Sequence, residues 1–250
     1  MSKINKLINE WPKGAIFTSL YLQKKGISNN LIYRYKKNHW VEQVGHSAYK
    51  LFNDSIEWFG AIYALQTQLG LSIHAGGKTA LELKGYAHYL PQQLKKIFLY
   101  GVRGEKLPNW FKQYNWNLLY NYNATNLFSV LQLSMFSQFQ YKDFTINIST
   151  PELAAMEMLY HVPGFQSFNE ASLIIENLST LRSGVVQQLL EQCNSIKVKR
   201  LFMYMAEKHE HIWLNKLDLS KINFGSGKRV IVKNGKLDNK YNITVPVEHI

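Results

Sequence analysis

The sequence predicts an α+β protein in which an N-terminal winged helix-turn-helix domain precedes a larger domain of mixed helices and strands. Three observations lead to this prediction. The first 54 residues contain three short helical patterns and then two strand-like segments, the chain order of a winged helix. Strand-like and helical segments then alternate up to about residue 150, after which helical patterns dominate. The 250 residues, 46% of them apolar, suffice to bury two cores of ordinary size.

The first two helices form the opening of the predicted helix-turn-helix. Apolar residues at i, i+3, i+4 and i+7 indicate the first helix: Ile4, Leu7, Ile8 and Trp11. Pro12 ends this pattern. Thr18 and Ser19 are good N-cap residues for a second helix over residues 20–25, and Gly26 suits the left-handed backbone just past its end.

The third helix, residues 29–38 with Ser28 as its cap, is the predicted recognition helix. A projection at 100° per residue places one set of side chains on the apolar side: Leu31, Ile32, Tyr35 and His39. The other side is polar or basic and has no acid: Asn29, Asn30, Tyr33, Arg34, Lys36 and Lys37. Asn can read adenine, Arg can read guanine, and Lys neutralises phosphate. We therefore expect this side, together with Ser28, to contact DNA.

A hairpin after the third helix is the predicted wing. Residues 40–44 and 48–52 have strand-like content on either side of a turn at Gly45 and His46. In a winged helix such a hairpin contacts the DNA backbone or the minor groove, so His46, Ser47 and Lys50 are candidate contacts. A purely structural winged domain is the alternative.

After the wing, the sequence predicts alternating helices and strands and then four consecutive helices. Asp54 or Ser55 is expected to cap an amphipathic helix that extends to about residue 69. The segments that follow are predicted in this order: a strand at 71–75, a helix at 78–84, a strand at 97–100, a short helix around Trp110, strands at 118–122, 131–136 and 144–148, and helices at 152–160, 169–177, 185–193 and 198–208. A last hairpin is predicted from strands at 229–233 and 241–245 around Asn234-Gly235.

Charge is the unusual feature of the composition. Lys and Arg total 29 against 17 Asp and Glu, which gives a formal net charge of +12. Residues 1–54 hold nine basic and three acidic residues, residues 55–192 hold nine of each, and residues 193–250 hold eleven and five. Both ends are therefore basic, and an excess of this size suggests an anionic partner.

Other features of the composition favour a cytoplasmic protein. The one cysteine, Cys193, lies in a helical pattern and cannot form an internal disulfide. We find neither an apolar signal-peptide region nor a window of about 18–20 apolar residues, so we expect no membrane segment. The composition also excludes a disordered chain or a disulfide-stapled scaffold.

Motifs of enzymes are weak in this sequence. Gly-Gly-Lys-Thr at 76–79 resembles the end of a phosphate loop, but Ser72 stands where the first glycine is needed. Glu82 and Lys84 have the E-x-K spacing of some Mg²⁺-dependent nucleases, without an upstream Asp on a convincing strand. His209 and His211 have no third ligand at a suitable spacing. We therefore expect no catalytic residues, no metal and no cofactor.

The basic C-terminal region leaves two interpretations open. It could bind nucleic acid, or it could contact an acidic protein. The candidate contacts in this region are Lys197, Lys199, Arg200, Lys228 and Arg229.

Several motifs, taken in order, resemble those of a known family. They are the winged helix, Gly-Gly-Lys-Thr-Ala-Leu at 76–81 with Lys-Gly-Tyr-Ala-His-Tyr-Leu at 84–90, Ser-Thr-Pro-Glu-Leu-Ala-Ala-Met-Glu at 149–157, Val-Lys-Arg-Leu-Phe at 198–202, Leu-Asp-Leu-Ser-Lys at 217–221, Gly-Ser-Gly-Lys-Arg at 225–229, and Tyr-Asn-Ile-Thr-Val-Pro at 241–246. The order of these motifs resembles the AbiEi family of antitoxins, which are transcriptional regulators of type IV toxin-antitoxin systems.

The resemblance implies a division of labour along the chain. It implies an N-terminal domain, residues 1–90, that binds an operator of inverted repeats in double-stranded DNA and represses the antitoxin-toxin operon. It implies that an α+β domain, residues 91–250, neutralises a toxin that resembles nucleotidyltransferases. The alternatives are a Mg²⁺-dependent nuclease with a winged-helix targeting domain and a plain winged-helix repressor without a toxin partner.

Overall fold

A computed structural model of the chain describes residues 2–86 and 94–247. The class is α+β, as predicted, and the N-terminal segment is a winged helix. The boundary predicted between residues 90 and 91, and the motif residues 87–90, lie outside the described residues. Within the described ranges, each helix is too short or too polar to cross a bilayer.

The winged helix consists of three helices and a three-stranded sheet. Its elements are α1 (Lys3–Glu10), β1 (Phe17–Thr18), α2 (Ser19–Lys24), α3 (Asn29–Lys37), β2 (Val41–Gly45) and β3 (Ala48–Leu51). The strand order is β1-β3-β2, with both pairs antiparallel. Ser2, Thr18 and Ser28 cap the three helices, since each side-chain oxygen accepts a backbone N–H of the first turn.

Helix α4 (Trp58–Thr67) follows the wing and is buried on nearly all sides. The prediction that Asp54 or Ser55 caps this helix is wrong. Glu57 occupies the N-cap position without a side-chain bond. The Asp54 carboxylate instead accepts the Gly14 N–H at 2.6 Å and so fixes the loop after α1.

A five-stranded sheet has the order β6-β5-β4-β8-β7. Its strands are β4 (His74–Ala75), β5 (Lys96–Val102), β6 (Leu119–Thr125), β7 (Phe136–Tyr141) and β8 (Phe144–Ser149), and α6 (Asn109–Gln113) connects β5 with β6. Two predicted strands differ from the structure. The 71–75 strand is shorter because Ser72 binds the Glu105 carboxylate through its N–H and hydroxyl. Most of the 131–136 strand is loop and a 3₁₀ turn, Leu133–Met135.

The remaining elements are mainly helical. They are α5 (Gly77–Leu83), α7 (Pro151–Tyr160), α8 (Phe168–Glu176), α9 (Ser183–Gln192), α10 (Ile196–Lys208), the 3₁₀ turns Ile212–Lys216 and Leu219–Lys221, and β9 (Arg229–Val230), β10 (Lys236–Asp238) and β11 (Ile243–Val245). Eight of the ten residues of α7 are buried, so α7 lies at the centre of this core.

The last three strands do not form the predicted hairpin. The chain reverses at Asn234-Gly235, but β11 then inserts between β9 and β10. Consequently β9 and β11 pair in parallel, whereas β10 and β11 are antiparallel. The sequence pattern paired the segments of β9 and β11 correctly, but it predicted an antiparallel pair and missed β10. The turn signal at Asn234-Gly235 marks a change of direction, and the strand that follows it is β10 and not β11.

The chain divides into two compact units. Unit 1 comprises residues 1–74, 99–124 and 138–148, and unit 2 comprises residues 75–98, 125–137 and 149–250. The winged helix, α4 and most of the five-stranded sheet belong to unit 1.

Within unit 1, α4 and the loop after α1 approach each other closely at two glycines. A Cβ on Gly60 would clash with the Gly14 carbonyl oxygen. Aromatic packing supports the same helix, since the Phe59 ring stacks on the Tyr141 ring at a centroid distance of 4.4 Å. The winged helix is therefore packed against α4 with no room for a methyl group at this point.

We predict that Gly60→Ala destabilises the protein by about 1–3 kcal/mol, because the backbone must move to relieve the clash. Chemical denaturation measures this change. Gly184→Ala in the exposed first turn of α9 is the matched control, since its Cβ meets nothing within 4 Å. The control is expected to be neutral or slightly stabilised. Equal stability of the two variants would contradict the close approach.

Candidate nucleic-acid interface

Helix α3 is held in the winged helix by its apolar side and by its cap. Ile32 and Tyr35 are buried, and the Ser28 hydroxyl accepts the Leu31 N–H at 3.3 Å. The prediction that His39 belongs to this buried side is wrong. The helix ends at Lys37, and His39, with a φ of 56°, turns outward and packs on the Phe52 ring.

The opposite side of α3 is open to solvent along its whole length. All six side chains that the sequence predicted for DNA contact are exposed: Asn29, Asn30, Tyr33, Arg34, Lys36 and Lys37. Tyr33 is 66% exposed, which is high for an aromatic ring in a folded protein. The three cations lie in the last turn, where the helix dipole favours positive charge.

Gln23 and Gln43, which the sequence analysis did not identify, make hydrogen bonds to side chains on the exposed side of α3. Gln23 donates its side-chain N–H to the Asn29 side-chain oxygen at 2.9 Å, and Lys36 donates to the Gln43 side-chain oxygen at 2.8 Å. The first bond joins α2 to α3, and the second joins α3 to the wing. The Lys36 pair becomes visible only once the position of β2 beside α3 is known.

The acids of the N-terminal segment have partners outside α3. Glu10 pairs with Lys25 at 3.1 Å, Glu42 pairs with Lys50 at 3.0 Å, and Asp54 binds the Gly14 N–H. In the part of the chain that the structure describes, no acid pairs with Arg34, Lys36 or Lys37. The positive charge of α3 therefore remains available to an external anion.

The wing contributes His46 and Ser47 at its turn. Ser47 has a φ of 64°, its hydroxyl lies 3.1 Å from the His46 Nδ1, and its carbonyl oxygen accepts the Ser19 N–H. Lys50 differs from these two residues, because its side chain is only 14% exposed. Its ammonium binds Glu42 and the Asp54 carbonyl oxygen, so it stabilises the base of the wing.

The geometry of unit 2 disfavours the phosphate-loop interpretation of residues 76–79. The buried Glu157 carboxylate accepts the Gly77 N–H at 2.9 Å and the Ser149 hydroxyl at 2.7 Å. The Gly77 N–H, which a phosphate would need, is thus already bonded to a side chain of the fold, and this disfavours nucleotide binding.

The E-x-K pair also lacks the geometry of a nuclease site. Glu82 is on helix α5 and not on a strand, and Lys84 is just past the end of that helix. Residues two apart on a helix point in different directions. Burial raises the pKa of Glu82, and its carboxylate faces Lys78 at 3.7 Å.

The two histidines have separate partners. The His209 Nε2 lies 2.9 Å from the Ser172 hydroxyl, and the His211 Nε2 lies 2.8 Å from the Ile175 carbonyl oxygen. Within residues 2–86 and 94–247, no three His, Cys, Asp or Glu side chains form a group suited to hold a metal ion.

The five predicted contacts in the basic C-terminal region divide into internal and exposed residues. Lys197 donates to the carbonyl oxygens of Tyr160 and Val162, both at 2.7 Å, and Lys199 is buried. Lys228 and Arg229 are exposed.

Arg200 is buried and donates to four carbonyl oxygens, those of Phe224, Gly225, Gly227 and Asn242. These bonds hold the loop that presents Lys228 and Arg229. Lys197 and Arg200 therefore make hydrogen bonds within the fold and Lys199 is buried, whereas Lys228 and Arg229 are exposed.

Comparison with known proteins identifies matches along nearly the whole chain. Residues 1–92 match a family model described as a transcriptional regulator, AbiEi antitoxin N-terminal domain. Residues 94–246 match a model described as a transcriptional regulator, AbiEi antitoxin of a type IV toxin-antitoxin system. These matches confirm the resemblance that the motifs predicted. No curated protein sequence matches the chain.

A solved structure supports the fold. The crystal structure of the RV2827C protein from Mycobacterium tuberculosis aligns with a TM-score of 0.61 over 96% of this chain and 88% of that chain. The sequence identity is 12%, so this similarity concerns the fold alone.

His161, the buried residue at the C-terminal end of α7, is expected to make the free energy of unfolding depend on pH. Burial lowers the pKa of His161 to about 4, and the nearby Lys197 and Lys96 act in the same direction. The unfolded chain binds a proton near pH 6.5, whereas the folded chain resists protonation until about pH 4. We predict that this residue removes about 2 kcal/mol of stability between pH 7 and pH 5.

Denaturation of the wild type and of His161→Gln at both pH values measures this contribution. The wild type is expected to lose about 2 kcal/mol more than the variant over this interval. His46→Gln, at the exposed wing turn, serves as the control and is expected to follow the wild type. Parallel pH profiles for all three proteins would contradict the prediction.

Proposed function

Since the chain belongs to the AbiEi family of transcriptional regulators and antitoxins of type IV toxin-antitoxin systems, we propose that it represses its own operon and neutralises a nucleotidyltransferase-like toxin. Both activities depend on binding and need no catalytic residue. The winged helix binds the inverted repeats of a double-stranded operator, and the C-terminal region acts on the toxin. Both act in the cytoplasm.

One observation carries the DNA-binding half of this proposal, the exposed and acid-free face of α3. Asn29 and Asn30 in its first turn have side chains suited to base edges, and Lys36 and Lys37 in its last turn suit phosphates. Arg34 lies between these groups and can serve either purpose. The engaged acids of the segment leave this charge uncompensated, which supports nucleic acid as the partner.

The antitoxin half is supported by family membership and by the exposed cations held on the Arg200 loop. Lys228 and Arg229 are exposed beside Val230, which is 62% exposed. A cationic and partly apolar surface of this kind suits an acidic protein surface. We therefore assign direct toxin contact to Lys228 and Arg229, with Lys197, Lys199 and Arg200 as positioning residues.

For the operator, we predict that Arg34→Ala with Lys37→Ala weakens binding to the DNA upstream of the operon and lowers the salt slope by about two. Fluorescence anisotropy at several salt concentrations measures both quantities. Arg34→Lys is the second variant to compare, because it keeps the positive charge but cannot make the paired hydrogen bonds of a guanidinium. It is expected to keep the salt slope and to discriminate less between operator and random DNA. Unchanged affinity of the double variant would refute the recognition-helix assignment.

For the toxin, we predict that Lys228→Glu with Arg229→Glu abolishes rescue of growth when the neighbouring toxin is expressed, while operator affinity stays within about twofold. The Arg34→Ala, Lys37→Ala variant should behave in the opposite way when expressed from an independent promoter. It should rescue growth and fail to bind the operator. Full rescue by the Lys228→Glu, Arg229→Glu variant would show that these two residues do not contact the toxin. Failure of the wild type to rescue growth would favour a plain repressor without a toxin partner.

A further inference from the structure

A groove of about 610 Å³ lies in unit 1 beside the turn of the wing. It is lined by α2, by the wing turn, by Leu69 and by α6. The lining residues that carry the argument are Ser19, Gln23, His46, Ser47, Asn109 and Gln113. The last two belong to α6, an element that neither the motifs nor the recognition-helix assignment associates with DNA.

Helix α6 is fixed to the wing by a very close contact. A Cβ on Gly45, the last residue of β2, would lie 2.8 Å from the Cβ of Trp110 and 3.0 Å from its Cα. The buried Trp110 therefore packs directly on the backbone of the wing. Asn109 and Gln113 are one helical turn apart and are exposed, so the wing and α6 present their polar side chains to the same groove.

The groove has the chemistry of a phosphate-contacting surface. Its lining includes hydroxyl, amide and imidazole groups, which donate hydrogen bonds to phosphate oxygens, and no Asp or Glu is among the lining residues. Lys112 is not among the lining residues, but it is exposed on the same short helix and gives α6 a positive charge. Gln23 lines the groove and also donates to Asn29, so this side chain connects the groove to the first turn of α3.

We propose that α6 is a second DNA-contacting element, and that the groove between α6, the wing and α2 receives the phosphate backbone that flanks the segment read by α3. This inference rests on the proposed DNA binding through α3. It extends the interface to Asn109, Lys112 and Gln113, which lie more than 70 residues after the recognition helix. The operator site is accordingly longer than a winged helix alone would cover.

The test places a carboxylate in the groove of the full-length protein. Gln113→Glu should bind the DNA upstream of the operon about fivefold to tenfold more weakly at low salt, because the new charge faces phosphate. Gln138→Glu, an exposed site on β7 in the same unit, makes the same chemical change outside the groove and should bind within twofold of the wild type. Hydroxyl-radical footprinting should show that Gln113→Glu loses protection of the flanking phosphates and keeps protection of the central half-site.

A second variant separates this effect from a loss of folding. Lys112→Ala should lower the salt slope by about one, and thermal melting should show that both α6 variants remain folded. If Gln113→Glu and Lys112→Ala bind and protect DNA as the Gln138→Glu control does, while the Arg34 and Lys37 variant is impaired, the α6 inference is overturned and DNA binding through α3 stands. If the Arg34 and Lys37 variant also binds normally, both proposals are overturned.

Discussion

The geometry of the winged helix depends on the side chain of Gln68. This buried amide accepts the Thr18 N–H at 2.8 Å and donates to the Ile16 carbonyl oxygen at 2.7 Å, so it pairs with β1 as a neighbouring strand would. Thr18 in turn caps α2 through its hydroxyl and pairs with Ala48 of β3. The Gln68 side chain, just after α4, therefore holds the start of the helix-turn-helix and the wing in a fixed geometry. Without this amide, the buried Thr18 N–H would have no hydrogen-bond acceptor, which is energetically costly.

The two basic ends of the chain use the same kind of residue in different ways. At the N-terminus, short acidic side chains bind Lys25, Lys50 and the Gly14 backbone, which leaves the cations of α3 exposed. At the C-terminus, the Arg200 guanidinium is turned inward and organises a loop through four carbonyl oxygens. A guanidinium has five donors in a rigid fork, so it can satisfy several carbonyl groups at once.

The Gly-Gly-Lys-Thr motif at residues 76–79 is also explained by an internal hydrogen bond. Gly77, with a φ of 52°, turns its N–H toward the buried Glu157 carboxylate at the start of α5. A carboxylate at that position stabilises the short helix and links it to α7, the central helix of this unit. The motif therefore reflects packing between two helices, and it does not need a nucleotide to account for its glycines.

Local sequence patterns were enough to predict the winged helix, the α+β class and the polar face of α3, because caps, turn residues and helical periodicity act over only a few neighbouring residues. It also placed most of the later helices, for the same reason. The errors concern long-range partners. Asp54 binds Gly14 and not the start of α4, β11 pairs with β9 in parallel, and His39 leaves the core because α3 ends two residues earlier. Charge counting could not separate the buried Lys199 and Arg200 from the exposed Lys228 and Arg229, and no local pattern could bring α6 to Gly45. Burial and contact between distant segments depend on how the whole chain packs, so they could be read from the folded structure and not from local sequence.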